Sequence, residues 1–205
     1  DLKGKVLGKP VYELLGGPAK DEIVCYATGE DTEWYMELGF GATKHGIAYG
    51  PESGEDGLRR NAENIAETRE QIGDDIDLMV DCWMTLDVGY AARLAEALRP
   101  YRIRWIEEAL PPEDMDAHAE LRERVPWATL ATGEHWYTVY PFKHAAGRRV
   151  VDILQPDVTW VGGLTPLLEI DAIAQAAGLT LIPHGGVSTA YGQHAVFALA
   201  SIPLG

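Results

Sequence analysis

The chain has 205 residues, 46% of them hydrophobic, enough for one sizeable core and close to the lower limit for a closed α/β barrel. Asp and Glu number 32 against 17 Lys and Arg, a formal charge of −15, so a polyanion such as nucleic acid is repelled; the same excess suits a solvated surface or work in concentrated salt. Cys25 and Cys82 stand far apart without CxxC spacing, no apolar run reaches a membrane span, and the first residues lack the order of a signal peptide, so the expectation is a soluble protein in a reducing, cytoplasmic setting, without disulfide or zinc.

Residues 1–20, with Gly4, Gly8, Gly16, Gly17 and two prolines, read as the tail of something upstream that leads into the first strand. From there short β-rich runs alternate with segments of helical periodicity. Strands are predicted at 23–27, 42–44, 76–80, 103–106, 128–132, 151–154 and 179–183. Between them, 55–72 places Leu58, Ala62, Ile65, Ala66 and Arg69 at 3-4 spacing, and 87–98 does the same with Val88, Ala91, Ala92, Ala95 and Leu98. Strand alternating with helix is the pattern of parallel βα units, so the predicted fold class is an α/β, TIM-type barrel over 21–205. Seven parallel strands cannot close a barrel that needs eight, and the barrel is therefore expected to be incomplete in this chain.

Functional groups in such barrels sit where strands end. Strand three ends in Asp81, strand four in Glu107 and Glu108, and strand five in Glu134 and His135. Asp81, Glu107 and Glu134 follow one another at 26 and 27 residues, about one βα unit each, so the three carboxylates are expected to project side by side. Like charges at close range raise one another's pKa unless a cation is present, and an all-oxygen set favours a hard ion: Mg²⁺ first, Mn²⁺ as runner-up. Glu108 fits an ion-pair partner of that site better than a ligand.

Strand six ends in Gln155-Pro156-Asp157 and strand seven in Pro183-His184-Gly185, again 27 residues apart from acid to imidazole. A carboxylate on one ring nitrogen fixes the tautomer and raises the basicity of the other, which makes His184 a candidate general base and Asp157 its orienting partner. Gly162-Gly163 reads first as a tight turn, with phosphate binding as the lesser reading. His45, His118, His144 and His194 lack a comparable acid, and His118 and His144 are expected on helix surfaces. Trp83, Trp105, Trp136 and Trp160 lie near strand ends, as core or as pocket wall.

GKPVYELLGG at 8–17, MVDCWM at 79–84, WIEEALPP at 105–112, TGEHW at 132–136, QPDVTWVGGLT at 155–165 and PHGG at 183–186 together resemble the mandelate-racemase branch of the enolase superfamily. The Asp-Cys-Trp, Glu-Glu-x-Leu-Pro-Pro and Gly-Glu-His variants resemble its rhamnonate-dehydratase group. The resemblance implies a barrel of seven complete units and a last strand, capped by an α+β domain of which residues 1–20 are the end. It implies Asp81, Glu107 and Glu134 as metal ligands, with His184 and Asp157 as base and orienting acid. Lys44, His135 and Glu108 would bind substrate or support the ligands. A further glutamate is expected just past Gly205, substrate-gripping loops in the cap, and a homo-oligomer.

Racemases of this branch carry Lys-x-Lys on strand two, whereas this chain reads Lys44-His45-Gly46. Racemisation needs a base on each face of the carbon, so the missing lysine favours one-base dehydration. His45 in place of that lysine keeps an epimerase reading open. The resemblance thus implies a Mg²⁺-dependent hydro-lyase acting on a sugar acid, L-rhamnonate first and lyxonate, mannonate or gluconate as alternatives. From a different class, a barrel that binds metal without catalysis is the other reading.

Overall fold

The computed structural model describes residues 2–205. Two compact units emerge, one holding Tyr26–Thr132 and Arg148–Asp152, the other the chain through Cys25 with Gly133–Gly147 and Ile153–Gly205.

The first unit carries β1 (Ala27–Thr28), α3 (Thr32–Glu37), β2 (Ala42–Gly46), α4 (Gly54–Ile72), β3 (Asp77–Asp81), α5 (Val88–Leu98), β4 (Ile103–Glu107), α6 (Met115–Arg124) and β5 (Leu130–Thr132). The strands pair in parallel in chain order, as short helical crossovers require. β3 is covered on both faces, with Leu78, Met79 and Val80 at 0% exposure, which explains its continuous apolar run. Asp87 caps α5 by accepting the Tyr90 N–H at 2.7 Å, and Asp114 caps α6 from Ala117 at 2.9 Å, each satisfying an amide that the helix cannot.

The seam that α4 buries is Gly57, Asn61, Ile65, Arg69 and Ile72; it shares Ile65 and Arg69 with the predicted stripe, while Leu58, Ala62 and Ala66 are only half-buried. Two polar residues fill it because the backbone supplies their partners. Asn61 accepts from the amides of Ala48 and Tyr49 and donates to the Tyr49 carbonyl. The Arg69 guanidinium donates to the carbonyls of Gly73, Ile76, Tyr101 and Arg102, tying the end of α4 to the segments that precede β3 and β4. His118, expected on a surface, is buried on α6, which packs against α5.

The second unit carries α1 (Leu2–Leu7), α2 (Val11–Leu14), α7 (Tyr140–Arg148, its last residue in the first unit), β6 (Ile153–Leu154), α8 (Leu164–Ala177), β7 (Thr180–Leu181) and α9 (Ala190–Ala198). β6 and β7 pair in parallel. Val158, Leu167 and Ala195 form a core cluster there, with Leu164 packed on it. Gly162 and Gly163 make the turn into α8, their amides bonded to Thr159 and Val158 carbonyls, which is the tight-turn reading of that pair. Residues 2–20 hold two short helices, and Tyr12 on α2 docks on α9 with its ring 5.1 Å from Phe197 and 5.8 Å from His194. The first strand also starts later than predicted, at Ala27: the apolar run from Ile23 precedes the ladder and does not join it.

Candidate active site

In the first unit, Asp81 and Glu107 are the last residues of β3 and β4 and lie directly opposite each other in the parallel register. Lys44 on β2, 3% exposed, brings its Nζ to 3.0 Å from Asp81 Oδ2 and into an ion pair with Glu107 Oε1. Burial opposes the ammonium charge, but Glu107, Tyr26 and Asp81 outweigh it and hold the lysine pKa above its ordinary value. Trp105, two residues before Glu107 and so on the same face of β4, donates its indole N–H to Glu107 Oε2 at 2.8 Å. Glu107 is thus fully buried with a named donor on each oxygen.

Asp81 Oδ1 accepts the Trp83 amide at 3.0 Å, and Trp83 and Met84 both take left-handed backbone, at φ 43° and 64°, so the chain reverses at once after the carboxylate. Glu108, also left-handed at φ 48°, is fully buried and accepts the Thr132 hydroxyl at 2.9 Å. His45 points the other way. Strand alternation sends it to the opposite face of β2 from Lys44, where Nε2 lies 3.2 Å from Thr32 Oγ1 and 3.3 Å from Thr43 Oγ1, and Nδ1 lies 3.5 Å from Glu30. It does have an acid partner, one invisible in the sequence, but the position open to a second base beside Lys44 is not where His45 stands.

In the second unit, Glu134 follows a glycine whose φ is 132°; a Cβ at Gly133 would stand 2.7 Å from the Phe142 ring and 3.3 Å from the Gln155 amide nitrogen. The carboxylate of Glu134 lies 3.6 Å from His135 Nδ1 and, through Oε2, 3.4 Å from His184 Nε2. Across its ring, His184 Nδ1 lies 3.0 Å from Asp157 Oδ2. Asp157 Oδ1 accepts the amides of Thr159 at 2.7 Å and Trp160 at 3.1 Å. Burial alone would raise the Asp157 pKa, yet the bond to His184 and the two amides outweigh it and hold the carboxyl below its ordinary range. An ionised Asp157 accepts the proton on Nδ1, which leaves Nε2 with the basic lone pair.

The four tryptophans near strand ends divide cleanly. Trp105 and Trp136 are core, at 0% and 3% exposure, while Trp83 and Trp160 stand out at 64% and 42%. Sequence reasoning missed the Trp105 bond to Glu107, although the period-two spacing Trp-x-Glu was its signal, and missed Tyr137, whose ring stacks on Trp160 at 5.0 Å and 23°.

Parallel βα units with acids at the strand ends and a histidine–aspartate pair define an enolase-type α/β chain, and this chain belongs to the Enolase C-terminal domain-like family, whose profile matches residues 29–204. The fold is that family's TIM-type barrel fold, represented by seven strands among the described residues. The chain is similar to L-rhamnonate dehydratase from Gibberella zeae, at 38% identity and a TM-score of 0.94 over 99% of this chain and 51% of that one. The rhamnonate dehydratase of the same organism complexed with Mg matches at 38% identity and a TM-score of 0.93, over 99% and 50% of the two chains. The 3,6-anhydro-D-galactonate cycloisomerase of Zobellia galactanivorans matches at 34% identity and 0.88, over 98% and 58%. The chain therefore spans about half the length of the rhamnonate dehydratase it matches. No helix among the described residues is long and apolar enough to cross a membrane.

Proposed function

We propose that the chain carries the catalytic half of a Mg²⁺-dependent acid-sugar dehydratase, with L-rhamnonate as the leading substrate. The observation that carries this reading is the His184 pair: Nδ1 on an ionised Asp157, and Nε2 facing a carboxylate at 3.4 Å. Asp81, Glu107 and Glu134 are the proposed metal ligands. All three offer carboxylate oxygen, a donor set that suits a hard divalent ion. Residues 1–20 are proposed as the end of a capping domain and 21–205 as the barrel.

Bound Mg²⁺ would stabilise the charge that gathers on the substrate carboxylate as the adjacent proton leaves. His184 Nε2 removes the proton from C2, and the imidazolium so formed is held between Asp157 and Glu134. The same proton then passes to the departing C3 hydroxyl, which leaves as water, and the resulting enol relaxes to a 2-keto-3-deoxy acid. Lys44 holds Asp81 and Glu107 side by side and offsets part of their repulsion. With one base on one face, elimination is favoured over inversion at C2, and His45 on the far face of β2 supplies no second base.

The test is to screen the full-length protein with Mg²⁺ against acid sugars, reading 2-keto acid. L-rhamnonate should be converted, and Asp81→Asn and His184→Asn should each abolish turnover while the fold survives. Full activity in either variant would refute the assignment.

A further inference from the structure

We infer that Trp105 is a positioning residue for the metal centre: its indole N–H, braced by Tyr26, fixes the plane of the Glu107 carboxylate and so sets the affinity for the divalent ion. The inference rests on the metal-ligand reading of Asp81, Glu107 and Glu134, and it adds a residue that does not itself touch the ion. A ring of side chains closes within the first unit. Lys44 pairs with Glu107 Oε1, and Trp105 donates to Glu107 Oε2 at 2.8 Å. Tyr26 meets the Trp105 ring edge-on at 5.7 Å and 87°, and Lys44 Nζ lies over the Tyr26 ring at 5.9 Å from its centre. Lys44, Trp105 and Glu107 are all buried, so bulk water does not compete for these contacts, and Tyr26 just before β1 is half-buried.

The torsion that turns a glutamate's carboxylate is broad and roughly two-fold, so the side chain's own rotamer leaves the plane of its oxygens undetermined. Hydrogen-bond donors determine it. The ammonium of Lys44 is a compact charge on a flexible stem, and it is shared with Asp81 at 3.0 Å, so it supplies charge more than direction. The indole does the reverse. It carries one N–H on a rigid ring, on the same face of β4 as Glu107, in a fully buried place where the edge contact with Tyr26 restrains it. Direction without added positive charge leaves the carboxylate oriented and still anionic, which is what a metal ligand needs. The competing role is a core indole that borrows Glu107 as its acceptor; on that account removing the N–H alters packing and leaves metal affinity as it was.

The experiment is calorimetric titration of the full-length protein with Mg²⁺ in the absence of substrate, with a thermal melt of each variant. Trp105→Phe keeps a ring against Tyr26 and loses the N–H, and its Mg²⁺ Kd should rise by about tenfold or more. Tyr26→Leu removes the brace and keeps the N–H, so its Kd should rise by a smaller factor. The double variant should match Trp105→Phe, because the brace acts through the indole. Arg69→Met, which loosens the same unit without touching a ligand, should keep the Kd of the unaltered protein. An unchanged Kd in Trp105→Phe, or an equal rise in Arg69→Met, would overturn the inference and leave the dehydratase reading intact. Losses that add in the double variant would overturn the bracing role of Tyr26. Failure of the unaltered protein to bind Mg²⁺ would bring down the metal-ligand reading together with the inference. Should Trp105→Phe fail to fold, Tyr26→Leu is compared with Arg69→Met, and equal Kd values in those two would overturn the inference.

Discussion

Replacing Asp157 with Asn changes one atom of the His184 pair and nothing of its scaffold. The amide oxygen of Asn keeps both bonds now made by Asp157 Oδ1, to the Thr159 and Trp160 amides at 2.7 and 3.1 Å, so the turn after β6 stays in place. Its nitrogen, however, faces His184 Nδ1 at 3.0 Å and donates where the carboxylate accepts. The ring must then place its proton on Nε2, where the base needs a lone pair. Two losses follow. Restoring the productive tautomer costs a hydrogen bond, and the imidazolium loses a charged acceptor; each is worth about 2 kcal/mol for bonds to charged groups, which together make about a thousandfold in kcat. The assay is steady-state dehydration of L-rhamnonate with Mg²⁺, alongside exchange of the C2 proton in deuterium oxide, and a thermal melt to verify the fold. Both rates should fall together with the melt little changed. A folded variant within tenfold of the parent in both rates would refute the tautomer argument.

Arg69→Met removes the donors that satisfy four backbone carbonyls at the end of α4 and should destabilise the protein by about 3 kcal/mol in urea unfolding, with the metal ligands untouched; a loss under about 1 kcal/mol would show that water replaces the guanidinium. Gly133→Ala forces a Cβ to within 2.7 Å of Phe142 at a φ of 132°, so it should displace the adjacent Glu134, weakening Mg²⁺ binding by calorimetry as well as lowering stability by about 2 kcal/mol. His45 and His118 are both held below the ordinary histidine range, chiefly by burial that Glu30 and the Pro111 carbonyl only partly offset. The folded state therefore binds fewer protons than the unfolded chain, so stability is fully present above about pH 6.5 and declines as pH falls toward the folded pKa values. Denaturation midpoints measured across that window should decline more gently in His118→Gln, and an unchanged slope would remove His118 as a cause.

Much of the fold is written locally. The runs around Leu78–Val80 and Ile103–Ile106 are β-rich, the first of them covered on both faces, and the stretch from Val88 to Leu98 repeats at helical spacing, so element type follows from nearest neighbours. The rotation of α4 does not, because Asn61 looks like a surface residue until the Ala48–Tyr49 backbone meets it, and Arg69, on the predicted stripe, finds the Tyr101 and Arg102 carbonyls only in the folded chain. His118 is the same case: a polar side chain buried through the packing of α6 on α5.

For the candidate site, the sequence by itself determined which chemical groups stand at strand ends: Asp81, Glu107, Glu134, Asp157 and His184 recur at the length of a βα unit, and that repeat is a local property of the chain. Only the tertiary structure decided how those groups are tuned. Lys44 reaches both Asp81 and Glu107 because three strands pair in parallel register; His45 is turned away by the alternation of the same strand; and the stack of Tyr137 on Trp160 joins residues from two separate turns. The physical reason is range: strand and helix signals arise between residues a few positions apart, whereas the field at a carboxylate and the stacking of two rings are set by groups that meet only when the chain has folded.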